Sequence, residues 1–166
     1  GMVWAAMYWW AFGWCLTSAL PLLFTVIVGA ALALSHRTKN HLYAVYAQII
    51  CIIYITAFIQ WSIGGVFASG FVLAWAFSGP IIALAFFPLR RSAVFLGQYL
   101  AVLAVTLLFD ADFRRHGLEV SERLGHIFFA MNLSVSSLLV FLFASYFAQS
   151  ADSQRLRADR FKSSLA

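Results

Sequence analysis

The sequence predicts an all-α fold, a polytopic transmembrane helical bundle that ends in a cytoplasmic signalling helix. Three observations predict it. Of 166 residues, 63% are hydrophobic, 17% aromatic and only 10% charged, where soluble domains hold about 25% charged residues. A chain of this size cannot hide so much apolar surface in one globular core, so lipid is the solvent for much of it. The apolar residues also fall into uncharged blocks of the length that crosses a ~30 Å hydrocarbon layer. Short basic segments separate several of these blocks, so the net charge of +5 reports loop topology. Nucleic-acid binding needs a basic face interleaved with aromatics, and no loop here is long enough to supply one.

Residues 3–34 carry no charge, too long for one span and too short for two. Thr17, Ser18, Ala19, Leu20 and Pro21 are expected to break this block, because Pro21 suits the first turn of a new helix. Residues 2–15 are then the outer half of a truncated first helix, and 19–35 a complete second one. Trp9, Trp10 and Trp14 fit an interfacial aromatic belt. No basic n-region or cleavage site precedes them, so the start does not read as a signal peptide.

A basic turn at 35–41 leads to a third span at 42–60. The stretch 60–91, QWSIGGVFASGFVLAWAFSGPIIALAFFPLRR, organises the rest. It opens on an uncharged turn in which Gly64, Gly65 and Gly70 can take backbone angles other residues avoid. The fourth span, 70–89, follows, interrupted at Gly79-Pro80 and stopped by Arg90-Arg91. A fifth span at 92–109, a mixed-charge loop at 110–125 and a last span at 126–148 complete the bundle. That makes five full spans plus the truncated one, with residues 1–149 as the bundle and 150–166 as a coupling helix.

Lys and Arg number two at 35–41, none at 60–70, two at 90–91, three at 110–125 and four after Ser150. Only these residues steer orientation, which puts 35–41, 90–91 and the tail in the cytoplasm. The two remaining loops lie outside, and 110–125, with its three basic residues, is the weakest step. The expected location is the inner (plasma) membrane, multi-pass, with the C-terminus cytoplasmic. In the tail, Phe147, Ala151, Gln154, Ala158, Phe161 and Leu165 recur at alternating steps of four and three. That is the seam of a coiled coil, hence a homodimer. The same residues also suit an amphipathic helix on anionic lipid.

Polar residues inside spans are the candidate site. Gln48, Gln98, Asn132 and Ser136 must turn inward to find partners in lipid, either as links between helices or as the lining of a pocket for a lipophilic or small-molecule signal. No span interior holds a carboxylate or a cation, so an ion path is not indicated. His36, His41, His116 and His126 sit in loops or at helix ends, unlike haem or zinc ligand sets. Asp110 and Asp112, with Arg114 and Arg115 nearby, read as a solvated ion-pair cluster. No catalytic set or phosphate loop is present, no cofactor is expected, and Cys15 and Cys51 read as core thiols.

The order of parts resembles the six-helix membrane anchor of bacterial class III adenylate/guanylate cyclases. The resemblance rests on WAAMYWW, ALPLLFTVIVGAALALSHRTKNH, the QW-GG-S-G and W-GP-RR elements of 60–91, LLFDADF, and NLSVSSLLVFLFASYFAQ running into a charged helix. It implies a membrane anchor or receptor domain that dimerises and signals through its last helix. Catalysis, the making of a cyclic nucleotide from a nucleoside triphosphate, would belong to a domain beyond these residues. Similar anchors precede some quorum-sensing histidine kinases, so a kinase sensor domain stays open. So does a small stand-alone transporter.

Overall fold

The computed structural model describes residues 1–163, with side chains as far as Ser150. Every element among them is helical. α1 (Met2–Phe12) and α2 (Leu16–Thr38) form a hairpin, α3 (Leu42–Ile63) follows, and the one-turn α4 (Gly65–Ala68) lies in the turn after it. A 3₁₀ segment (Val72–Phe77) runs directly into α5 (Ser78–Phe86). Then come α6 (Leu89–Leu108), α7 (Asp110–His116) and α8 (Glu122–Ser163). Among the described residues four helices are long and apolar enough to cross a membrane: α2, α3, α6 and the Glu122–Ser150 part of α8.

α3 is apolar on every side because α2, the 3₁₀ segment, α5 and α6 all pack on it. Of its span 44% is buried, against 17% for α8, so α3 is the axis and α8 an outer member. Ile49, Ile53 and Ala57 of α3 join Leu73 and Ala76 in one core cluster. Tyr8, Ile59, Ile63, Val72 and Phe128 join in a second. Between helices in lipid, close fit and hydrogen bonds do the work that water does elsewhere. Gly79 shows the fit: a Cβ there would come within 3.0 Å of Ile53 Cγ1.

The helix boundaries depart from the sequence expectation in several places. The first break comes early, at Gly13 (φ 72), and Thr17, Ser18 and Pro21 lie inside α2. Ser18 decides this: its Oγ accepts the Cys15 N–H at 3.0 Å and donates to the Cys15 carbonyl at 2.9 Å. That closes the helix start well ahead of Pro21. Cys15 is accordingly a half-buried helix cap and not a core thiol, while Cys51 is buried.

The expected span 70–89 is not one helix, and the break is not at Gly79-Pro80, which sit in the first turn of α5 where proline is tolerated. The irregularity lies before them. Gly70 (φ 64) and Phe71 (φ 55) turn the chain left-handed, and Gln60 Oε1 takes the Leu73 N–H at 2.9 Å. With a rise of about 2.0 Å per 3₁₀ residue and 1.5 Å per α residue, the passage Val72–Phe86 still reaches about 25 Å. Arg90 and Arg91 stand in the first turn of α6, which Pro88 starts, and not in a loop.

Residues 110–125 are not an open loop either. Asp110 and Asp112 open α7 and Arg114, Arg115 and His116 close it, matching both ends of the helix dipole. Asp110 pairs with Arg114 at 2.8 Å. Phe113 stacks on Trp61 at 5.3 Å, and the Leu118 N–H donates to the Ile63 carbonyl at 2.9 Å. α7 is thus a lid on the end of α3. α8 starts at Glu122 and passes residues 149–150 without a break.

Candidate functional site

The site grows from Gly70. Its positive φ suits glycine, and a Cβ there would run into the backbone of Phe128 and Phe129 on α8. The missing side chain is what lets α8 seat against the turn. Once seated, Asn132 of α8 is fully buried and meets three partners. Its Nδ2 donates to the carbonyls of Ser69 at 3.3 Å and Gly70 at 3.1 Å. Its Oδ1 accepts the indole N–H of Trp75 at 3.1 Å. A neutral side chain therefore clasps α8 to the turn and to the 3₁₀ segment together.

Of the other polar residues expected here, the structure brings none into this clasp as a second link. Ser136 is buried, but its Oγ donates to the Asn132 carbonyl at 2.6 Å, a bond within α8. It is a helix back-bond and not inter-helix glue. Gln98 on α6 has its Oε1 buried without a partner among the described residues. Gln48 on α3 is half-buried and makes no hydrogen bond among them. In the proposed seam, Phe147 is half-buried. The side chains of Ala151, Gln154, Ala158 and Phe161, and all of Leu165, lie outside the described residues.

Trp75 also forms a wall of a cleft of about 390 Å³. The cleft is bounded by α1, α2, α3, the 3₁₀ segment and Leu139 of α8. Trp4 closes on Trp75 edge-to-face at 5.4 Å between ring centres. The lining is almost wholly apolar, without a charged side chain. Besides the indoles of Trp4 and Trp75, its polar side chains are Thr56, whose hydroxyl bonds back to the Ile52 carbonyl and, at 3.3 Å, to that of Ile53, and Gln48, which has no hydrogen-bond partner among the described residues.

Set against family models, curated proteins and solved structures, the chain matches none of them. Among the described residues no three His, Cys, Asp or Glu side chains converge. His36, His41, His116 and His126 are all exposed. What this site offers is hydrogen bonds, apolar surface and a long helix.

Sequence reasoning missed Gln60 and Trp75. Gln60 is fully buried, with its Oε1 on Leu73 and its Nε2 without a partner among the described residues. A glutamine beside a glycine-rich turn reads as a loop residue, so its depth was not legible. Trp75 did carry a signal: an indole N–H placed inside a span needs an acceptor, though Gln48, Gln98 and Asn132 all offered one and the sequence does not choose among them.

Proposed function

We propose that this chain is the membrane anchor and receptor domain of a bacterial signalling protein. Its output is an adenylate or guanylate cyclase, reached through α8. One observation carries the reading: α8 is a single helix of 42 residues. At 1.5 Å per residue it is about 63 Å long, roughly twice the hydrocarbon layer, where about 20 residues suffice to span. Its first part is clasped at Asn132, and its last part carries Arg155, Arg157, Arg160 and Lys162. A rod gripped at one end can deliver a shift or rotation at the other.

Support for a cyclase in particular comes from the resemblance. The residues that carry it, among them Gln60, Trp61, Gly70, Trp75 and Gly79, are those that build the clasp and the close packing around α3. A stand-alone transporter would want charged or ion-coordinating groups in a broken helix at mid-membrane. The irregular passage Val72–Phe86 holds no charged residue. The protein works as a homodimer in the inner membrane with its C-terminus cytoplasmic. Lipid covers the exposed apolar residues, and Phe147, Ala151, Gln154, Ala158, Phe161 and Leu165 pair across a two-fold axis.

Disulfide scanning through residues 147–165 in native membranes tests this. Cross-linking peaks are expected at the seam positions and nowhere between. A flat profile, or peaks at Arg157 and Ser164, would establish a lipid-surface helix and overturn the dimer.

A further inference from the structure

We propose that the cleft beside Trp75 binds a neutral, elongated lipophilic molecule carrying one hydrogen-bonding group, and that Trp75 carries its presence to α8. This deepens the receptor reading, and it rests on that reading only for what α8 then does.

Size and shape come first. About 390 Å³ falls within the range of about 300–1,000 Å³ usual for small-molecule sites. On α3 the wall is Gln48, Ile52, Ile55, Thr56 and Ile59, one face of the helix that extends about 16 Å along its axis. A long, narrow occupant matches it.

Charge decides the class. A charged group placed there would lose its water with no charged side chain in the lining to meet it, at a cost of several kcal/mol or more. That disfavours a phospholipid headgroup and an ionised ligand against a neutral one. Gln48 adds the polar requirement, because its amide lines an apolar cleft without a partner among the described residues. In a hydrocarbon environment an unmade hydrogen bond is not repaired by solvent. A hydroxyl or carbonyl at one end of the occupant supplies what Gln48 lacks, while its chain lies along the isoleucines.

Coupling follows from shared atoms. The indole that faces the cleft is the one whose N–H holds Asn132 at 3.1 Å. α8 itself enters the wall at Leu139, two turns along from Asn132. Trp75 stands in a 3₁₀ segment, a form that often marks a hinge within a helical passage. An occupant that favours one rotation of this segment biases the seat of α8 by its differential binding to the two arrangements.

The test uses the full chain in phosphatidylcholine nanodiscs with a diazirine-bearing dodecanol. A diazirine-bearing phosphatidylcholine and a diazirine-bearing dodecane serve in parallel. Peptide mapping should place dodecanol adducts at the cleft residues of α3 and at Trp75, displaced by plain dodecanol. Thr56→Phe, which fills the cleft, should lower this labelling about tenfold, a usual penalty for a misfitting apolar pocket. Gln48→Leu should lower capture of the alcohol and leave capture of the dodecane unchanged. Equal labelling of the same residues by phosphatidylcholine would make the cleft an ordinary lipid contact and overturn the proposal. Adducts spread over exposed Leu138 and Phe141 would overturn it too.

Hydrogen exchange of α8 amides 128–140 reads the coupling in one chain, so it holds even if no seam cross-link ever forms. Dodecanol should change exchange there in the wild type and not in Trp75→Phe, which keeps a ring and loses the donor. No change in the wild type, or an equal change in the variant, would remove Trp75 from the path.

Discussion

At the scale of single residues, Asn132 satisfies three groups that hydrocarbon would otherwise leave bare. Asn132→Leu strips partners from the Ser69 and Gly70 carbonyls and from the Trp75 indole. Inter-helix bonds of this kind are worth about 0.6–2 kcal/mol, so thermal unfolding in detergent should come earlier by that amount. An unchanged or higher Tm would remove Asn132 from the clasp. A pair of glycines makes a sharper contrast. Gly70→Ala adds a Cβ to a left-handed residue and drives it into α8, and strain of this kind costs about 1–3 kcal/mol. Gly97→Ala, with nothing within 4 Å of the new atom, should be neutral or stabilise α6 by about 0.5–1 kcal/mol. Equal effects at both positions would refute the close seating of α8.

At the scale of elements, α7 acts as a lid because one side chain ties it to the turn beneath. Asp110 Oδ1 accepts the Val66 N–H at 2.8 Å and Oδ2 pairs with Arg114. The two bonds are unequal. Arg114 is more than half exposed, so its pair contributes little in water, whereas the bond to Val66 caps α4, worth about 1 kcal/mol. Asp110→Ala should therefore speed hydrogen exchange across residues 64–71, and Arg114→Ala should not. Matching effects would shift the weight to the ion pair.

At the scale of the whole molecule, the bundle is organised around α3 and leaves most of the α8 span exposed. The proposed sidedness rests on Lys and Arg counts and is open to direct measurement. His41 and Glu119 are exposed at opposite ends of α3, the first before its start and the second near Leu118, which bonds Ile63. A membrane-impermeant thiol reagent applied to intact cells should modify Glu119→Cys and miss His41→Cys. Cys15 and Cys51 should be replaced first in both. The reverse pattern would invert the topology and place α8's charged end outside.

Much of this was legible in the chain. Uncharged blocks pointed to five full spans, and four of these are helices long and apolar enough to cross among the described residues, because a helix satisfies its own backbone bonds and apolar side chains then suit lipid. Glycines at 64, 65 and 70 marked the turn correctly, since backbone freedom is a local property. Asn132 was legible as a residue seeking a partner, though not which partner. The 3₁₀ passage, the lid and the early start of α2 were not legible. Nothing within Val72–Phe77 disfavours an α-helix. It is Gln60 holding the Leu73 N–H, and Asn132 holding Trp75, that set its form. Those bonds join residues 13 and 57 positions apart, and hydropathy has no register for them. The cleft is decided the same way: five segments must meet before there is a space between them. Local chemistry chose which residues leave water, and tertiary contact chose what they met.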